Sequence, residues 1–136
     1  MYMEIYNKMD PLINKYCYGL DNPIIRILTD DKENDLIKYI KKSYKGTQIG
    51  DLVDDYDPVN IIIITYNGKL KQYDANMIKF MNEYIERKKV FMLIVPVEFD
   101  FDDLVKNVKA NSIDAISWHE KNGKKYKDYI VVVKKN

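Results

Sequence analysis

The chain has 136 residues, which is enough for one domain with a sizeable hydrophobic core. Hydrophobic residues make up 46% and charged residues 32% of the sequence, a balance that excludes an intrinsically disordered protein. Lys and Arg total 22 against 21 Asp and Glu, so the formal net charge is +1. A charge this small gives the whole molecule no attraction to nucleic acid or to an anionic membrane.

Cysteine content and the N-terminal sequence indicate a compartment. Cys17 is the only cysteine, so no intramolecular disulfide can form, as is usual in a reducing environment. Residues 1–6 lack the basic start and apolar core of a signal peptide, and the longest apolar run is shorter than a bilayer span. We therefore expect a cytoplasmic protein with no membrane association and a single α/β domain over residues 1–136.

The first third of the chain predicts helix, strand and helix. Asp10-Pro11 is typical of an N-cap followed by proline at the first helical position, and Gly19 ends this helix. Residues 2–9 form either a further turn or a separate short helix. Residues 24–28 predict a strand, and a second helix then ends at Gly46. Its apolar stripe is Leu36, Ile37, Ile40 and Tyr44.

Two unbroken apolar runs, Val59–Ile64 and Val90–Val95, predict the centre of the sheet. Neither run alternates with polar residues, so both strands need cover on two faces, which is typical of parallel strands between helices. Asp74 is the expected N-cap of the helix between them. Its buried stripe comprises Met77, Ile78, Met81, Tyr84 and Ile85.

A helix and a hairpin close the chain. Asp100 or Asp102 caps a last helix whose inward residues are expected to be Leu104, Val105 and Val108. Residues 115–118 predict a fourth core strand, Asn122-Gly123 a tight turn, and residues 129–133 an antiparallel return. The fold class is therefore a three-layer, Rossmann-like α/β sandwich whose four or five strands are mainly parallel and end in an antiparallel C-terminal hairpin. The expected core is Ile27, Ile62, Ile63, Ile64, Met81, Leu93, Ile94, Val95 and Leu104.

The order of elements over roughly residues 55–135 resembles a known family. A strand that ends in Thr65-Tyr66-Asn67 begins with the segment Asp57-Pro58-Val59-Asn60-Ile61-Ile62. The closing hairpin ends in residues 131–135. This is similar to the C-terminal half of a Rossmann-like S-adenosylmethionine-dependent methyltransferase. The resemblance implies S-adenosylmethionine as cofactor. Where that family carries a glycine-rich loop after its first strand, this chain has Thr29-Asp30-Asp31-Lys32-Glu33.

A parallel sheet delivers the carboxyl ends of its strands to one edge, where doubly wound folds bind ligands. We therefore expect three groups of residues to converge there, namely 29–31, 65–67 and 96–98. The candidate ligand-binding residues among them are Asp30, Asp31, Thr65, Tyr66, Asn67 and Glu98. Tyr66 and Asn67 offer hydrogen bonds, and Asp30 and Glu98 can accept ribose hydroxyls or coordinate a cation. The alternative for Asp30 and Asp31 is simple capping of the next helix.

Three further groups have a chemical and a structural interpretation each. The acidic residues of 51–57 and 98–103 can form a carboxylate cluster or two solvated loops. His119, the only histidine, is a general base or an exposed hairpin residue. Lysines and tyrosines of residues 121–129 either contact nucleic acid or protect the hairpin from edge-to-edge pairing. The structural interpretation is favoured for each group.

No nucleophile–base pair, metal constellation or phosphate loop is evident. We therefore expect a non-catalytic binding or regulatory α/β domain that acts through protein contacts. One alternative is a small S-adenosylmethionine- or nucleotide-binding transferase of methyltransferase-like fold, and a second is a metal-dependent nuclease using the acidic loops. The sequence has 12 tyrosines, too many for the core alone, so a homodimer or protein partner is expected through the N-terminal helix or the C-terminal strand.

Overall fold

The computed structural model of the chain describes residues 2–17, 19–20, 23–30, 35–50, 58–65, 72–96, 98–119 and 127–135. Side chains are described for these residues except 2–5, 116–119 and 127–128. The turn predicted at Asn67-Gly68, the acidic loop 51–57 and the hairpin residues 120–126 lie outside this part of the chain.

Helices and strands alternate along most of the sequence. The helices are α1 (Tyr2–Tyr16), α2 (Asp35–Ser43), α3 (Ala75–Glu86) and α4 (Phe101–Asn107). The strands are β1 (Ile25–Thr29), β2 (Thr47–Ile49), β3 (Ile61–Thr65), β4 (Val90–Pro96), β5 (Ser112–His119) and β6 (Lys127–Lys134).

The six strands form one sheet in the order β2-β1-β3-β4-β6-β5. The first four in this order run parallel to one another, and β6 pairs antiparallel with both β4 and β5. The sheet is therefore mainly parallel and ends in an antiparallel C-terminal hairpin, as predicted. It has one strand more than the upper limit of the prediction. The last strand of the chain lies between β4 and β5, so β5 forms the edge.

Alternate residues of the central strands point to opposite faces of the sheet, and each face has its own hydrophobic cluster. One cluster packs beneath α1 and α2 and includes Met9, Ile13, Leu36, Ile37 and Ile40 from the helices, with Ile25, Ile27, Ile61, Ile63, Met92, Ile130 and Val132 from the strands. The other packs beneath α3 and α4 and includes Met77, Phe80, Met81, Ile85 and Leu104, with Leu28, Ile62, Ile64, Phe91, Leu93, Val95, Val131 and Val133. The three-layer architecture is thereby confirmed.

Two aspartates stabilise helix ends as predicted. The Asp74 side chain accepts a hydrogen bond of 2.8 Å from the backbone N–H of Met77 at the start of α3. The Asp100 side chain accepts one of 3.0 Å from the N–H of Asp103 at the start of α4. Asp100, and not Asp102, is therefore the cap of the last helix.

The prediction for the first helix is wrong in one respect. Residues 2–16 form one continuous helix with Pro11 inside it, so Asp10 is not an N-cap. Proline cannot supply a backbone N–H to the preceding turn, which costs the helix a hydrogen bond. The helix nevertheless continues through Pro11 because its packing against the sheet stabilises it. Met9 and Ile13, on either side of the proline, are both fully buried against the sheet.

Three packing predictions also need correction. Val105, expected to face inward, is 58% exposed because α4 presents Leu104 to the core instead. Ile94 is only half-buried, whereas the other eight predicted core residues are buried. Residues 115–118 belong to β5, an edge strand and not a central one, because β6 occupies the place beside β4.

Helix length bears on the predicted absence of membrane association. Within the described ranges, no helix combines the length and apolar character that a membrane span requires.

Candidate ligand site at the carboxyl edge of the sheet

The direction of chain progression reverses between β1 and β3. From β1 the chain passes through α2 to β2 on one side of β1, and then returns to β3 on the other side. In open α/β sheets such a reversal leaves a crevice outside the carboxyl ends of the two strands, and ligands bind there. The residues that end β1 and β3 are Thr29 and Thr65.

Register brings the ends of these strands together. Thr29 pairs with Thr65, and Thr65 pairs on its other side with Ile94. Thr65 is only 8% exposed. Asp30 follows Thr29 directly and is exposed. The structure therefore places Asp30 and Thr65, both predicted site residues, at the ends of neighbouring strands.

Glu98 lies farther from this point. It follows β4, which is separated from β1 by β3, so about 10 Å of sheet lies between the β1 and β4 ends. Glu98 is exposed, and its neighbour Phe99 donates its backbone N–H to the Pro96 carbonyl at 3.0 Å. The structure thus does not bring Glu98 beside Asp30. Asp31, Tyr66 and Asn67 lie outside the described residues.

An aromatic cluster that the sequence analysis missed flanks the carboxyl end of β4. The ring centroids of Tyr73 and Phe99 are 5.0 Å apart, those of Phe99 and Phe101 5.7 Å, and those of Phe101 and Tyr129 4.9 Å. Tyr73 and Phe99 are 6% and 4% exposed. The sequence signal for this cluster is limited to the two aromatics of Glu98-Phe99-Asp100-Phe101, and it does not indicate the contacts with Tyr73 and Tyr129.

Carboxylates dominate the electrostatics of this edge. Asp30 follows β1, Glu98 follows β4, and Asp74 and Asp100 occupy the N-caps of α3 and α4. The caps also take up backbone N–H groups that would otherwise be free to bind an anion. The described part of this edge is therefore better suited to a hydroxyl-bearing or cationic ligand than to a polyphosphate.

The carboxylates do not assemble into a metal centre. Across the part of the chain that the structure describes, no three side chains of His, Cys, Asp or Glu are placed to hold one metal ion. Glu98, Asp100, Asp102 and Asp103 thus form no such group by themselves. The other predicted contributors to a nuclease site, Asp51, Asp54, Asp55 and Asp57, lie outside the described residues.

Of two cavities formed by described residues, the first lies away from the carboxyl edge of the sheet, and the second reaches Tyr73 and the capping Asp74 at that edge. One of about 370 Å³ lies between the C-terminal ends of α1 and α2 and is lined by Cys17, Leu20 and Tyr44 among others. The second, of about 600 Å³, is a groove between α3 and α4 with Ile78, Lys79 and Lys109 among its lining residues. Neither contains a residue of the predicted ligand site.

The remaining sequence candidates are placed only by their backbone. His119 is the last residue of β5 and pairs with Lys127 of β6. Its side chain, and the lysines and tyrosines of residues 121–126, lie outside the described part. Their chemical interpretations stay predictions.

No protein-family model and no curated protein sequence matches the chain. Among solved structures, it is similar to an rRNA methylase from Streptococcus thermophilus, with 13% identity, a TM-score of 0.49, and coverage of 97% of this chain and 96% of that one. It is also similar to a release factor-specific protein-(glutamine-N5) methyltransferase from Alicyclobacillus acidocaldarius subsp. acidocaldarius, with 12% identity, a TM-score of 0.42, and coverage of 99% and 93%. The methyltransferase-like arrangement that the sequence indicated is thus also found among these solved structures, and likeness at this level carries no argument about family or activity.

Proposed function

We propose that this protein binds a nucleoside-type small molecule at the carboxyl ends of β1 and β3, with S-adenosylmethionine as the first candidate. The observation that carries the proposal is the reversal of the chain between these two strands, whose parallel pairing sets Thr29 opposite Thr65, with Asp30 next in sequence. The protein would then be a small transferase of methyltransferase-like fold. This is the alternative of the sequence analysis, and we now prefer it to a purely non-catalytic role.

The charge of the edge supports the choice of ligand within this class. S-adenosylmethionine carries a sulfonium and an ammonium group against a single carboxylate, so its net charge is positive and neighbouring carboxylates attract it. The phosphates of ATP would instead face Asp30 and the capping carboxylates Asp74 and Asp100. Asp30 would accept hydrogen bonds from the ribose. Thr65 would supply a hydroxyl at the end of β3, and the other predicted site residues are Asp31, Tyr66, Asn67 and Glu98.

Thermal shift and isothermal titration calorimetry test this proposal. S-adenosylmethionine should raise the melting temperature, because a ligand that binds only the folded state stabilises it by about 2.7 kcal/mol at a hundred times its Kd. S-adenosylhomocysteine lacks the sulfonium charge and should bind more weakly, and ATP should give no shift. Absence of binding by all three ligands at millimolar concentration would refute the proposal.

Matched variants locate the site. Asp30→Asn and Thr65→Val should each weaken S-adenosylmethionine binding by at least about tenfold, since each removes a polar contact at the strand ends. The controls are Asp114→Asn, an exposed acid on β5, and Thr47→Val at the start of β2. Equal affinity of all four variants would place the ligand elsewhere.

The second candidate is the non-catalytic role through protein contacts. Its support is that Tyr6, Tyr16, Tyr39 and Tyr44, all on or beside α1 and α2, are half-buried and not part of the inner core. Tyrosine at a surface buries much area at small entropic cost when a partner binds. A stable oligomer or complex combined with no binding of any nucleoside would favour this candidate over the first.

A further inference from the structure

The two edges of the sheet differ in how well they are protected against pairing with another strand. The β2 edge is only three residues long, Thr47–Ile49. The β5 edge has eight residues, Ser112–His119, and all eight pair with β6 on the inner side. Natural proteins keep edge strands short or place lysine, proline or bulges on them to prevent association. By length alone, β2 is protected and β5 is not.

The composition of β5 makes the same point. Its residues are Ser-Ile-Asp-Ala-Ile-Ser-Trp-His, without lysine, arginine, proline or glycine. The lysines expected to protect the hairpin lie within residues 121–127, after β5 in sequence, so none of them is on this edge strand. Its register with β6 is unbroken from Ser112↔Lys134 to His119↔Lys127, so no bulge interrupts the strand. Because alternate residues of a strand direct their N–H and C=O groups to opposite sides, half of these residues present both groups away from β6.

We propose that two copies of this chain associate through β5, pairing antiparallel about a two-fold axis to continue the sheet from one protomer into the next. A strand edge is complementary to itself under this symmetry, because each N–H meets a C=O of the partner. The occupant of the edge is therefore a second copy of this chain.

Charge restricts the register of the pair. Asp114 is the only carboxylate or ammonium side chain of β5. A two-fold axis at Asp114 would place two carboxylates directly opposite each other, which is destabilising. An axis at Ala115 or Ile116 avoids this contact, because Asp114 then faces Ile116 or Trp118 of the partner. Ala115 is exposed at the centre of the strand.

The proposal is independent of the ligand site. Strands β3, β4 and β6 lie between β1 and β5, so the paired edge is remote from the crevice beside Asp30. A monomer that binds S-adenosylmethionine would refute only the dimer, and a dimer that binds no nucleoside would refute only the ligand.

Light scattering from low micromolar to near-millimolar concentration measures the association. The mass should rise from 16.2 kDa to twice that value and stop there, because each β5 edge is used once. Ala115→Lys should raise the dimer dissociation constant by at least about tenfold, while Gln48→Lys on the β2 edge should leave it unchanged. A monomer at every concentration, growth beyond the dimer, or equal effects of the two lysines would overturn the proposal.

Hydrogen exchange on the unmodified protein provides a test that does not depend on how Ala115→Lys folds. The outward backbone amides of β5 should gain protection as concentration rises, and those of β2 should not. Trp118 is the only tryptophan and lies in β5, so its emission should change over the same concentration range. Protection of β5 that does not depend on concentration would contradict the proposal.

Discussion

The hydroxyl of Tyr44 donates a hydrogen bond of 2.5 Å to Oδ1 of Asp10, which joins the end of α2 to the middle of α1. The same hydroxyl lies 3.2 Å from Oδ1 of Asn14. The Tyr6 hydroxyl approaches the same Asp10 oxygen at 3.5 Å and hydrogen-bonds Ser43. Asp10 therefore serves a contact between helices, and not the start of α1.

Tyr44→Phe removes the donor and keeps the ring. We expect the free energy of unfolding to fall by about 1 kcal/mol. A hydrogen bond to a carboxylate contributes more than this when it is buried, and the partial exposure of this one lowers its contribution. Urea unfolding measures it. Tyr16→Phe is the matched control, because the Tyr16 ring contacts the ammonium groups of Lys15 and Lys134 and its hydroxyl is not part of this network. Equal losses in both variants would show that the hydroxyl of Tyr44 contributes nothing specific.

Alkaline pH gives a second test of the same contact. Burial, and then the hydrogen bond to Asp10 and its negative charge, raise the pKa of Tyr44 above the ordinary value of about 10. The folded state therefore prefers the protonated phenol. The Tyr44 hydroxyl therefore contributes its full stabilisation at pH values below the pKa that Tyr44 has in the unfolded chain. This stabilisation is lost as the pH rises through the pKa that Tyr44 has in the folded protein. The difference in melting temperature between the unmodified protein and Tyr44→Phe should be constant from neutral pH to about pH 9 and then shrink. A difference that grows with pH would contradict the assignment.

The fold was predictable wherever a hydrophobic pattern alone decides the structure. Ile61–Ile64 cannot have a wet face, and both faces of β3 are indeed covered. The insertion of β6 between β4 and β5 was not predictable, because a turn at Asn122-Gly123 indicates that two strands are adjacent but not which of them reaches the sheet centre. The path of α1 through Pro11 was also missed, because burial of Met9 and Ile13 outweighs the local preference of proline.

The sequence predicted which residues of the candidate site lie at strand ends, but not how far apart those ends are. The ends of β1 and β3 were identified to within one residue, and the parallel register then places Thr29 beside Thr65. The separation of Glu98 from Asp30 depends on strand order, which periodicity does not encode. The contact between Tyr73 and Phe99 joins residues far apart in sequence, so only the folded arrangement shows it.

Cys17 provides a reporter for the helical layer formed by α1 and α2. Its side chain is 5% exposed, and burial raises the pKa of the thiol. Because the thiolate is the reactive form, a chromogenic disulfide reagent should modify the native protein at least about tenfold more slowly than the urea-unfolded chain. Cys17→Ala should not react at all, since no other thiol exists. Equal rates in the native and unfolded states would mean that this end of α1 opens readily.

Gly46 precedes β2 at a point where the chain allows no side chain. A Cβ there would lie 2.6 Å from the backbone oxygen of Pro23, so Gly46→Ala forces two backbone segments apart. We expect it to destabilise the protein by about 1–3 kcal/mol, as overpacking does.

Gly19 is the control, because its φ of +83° disfavours other residues but nothing lies within 4 Å of its Cβ position. Gly19→Ala should cost about 1 kcal/mol, and Gly19→Asn should cost less, because asparagine tolerates this conformation. At Gly46 asparagine should be no better than alanine, since the obstacle there is contact and not φ. Urea unfolding of the four variants separates the two causes, and a Gly46→Asn variant as stable as the unmodified protein would show that the approach of Pro23 is not close.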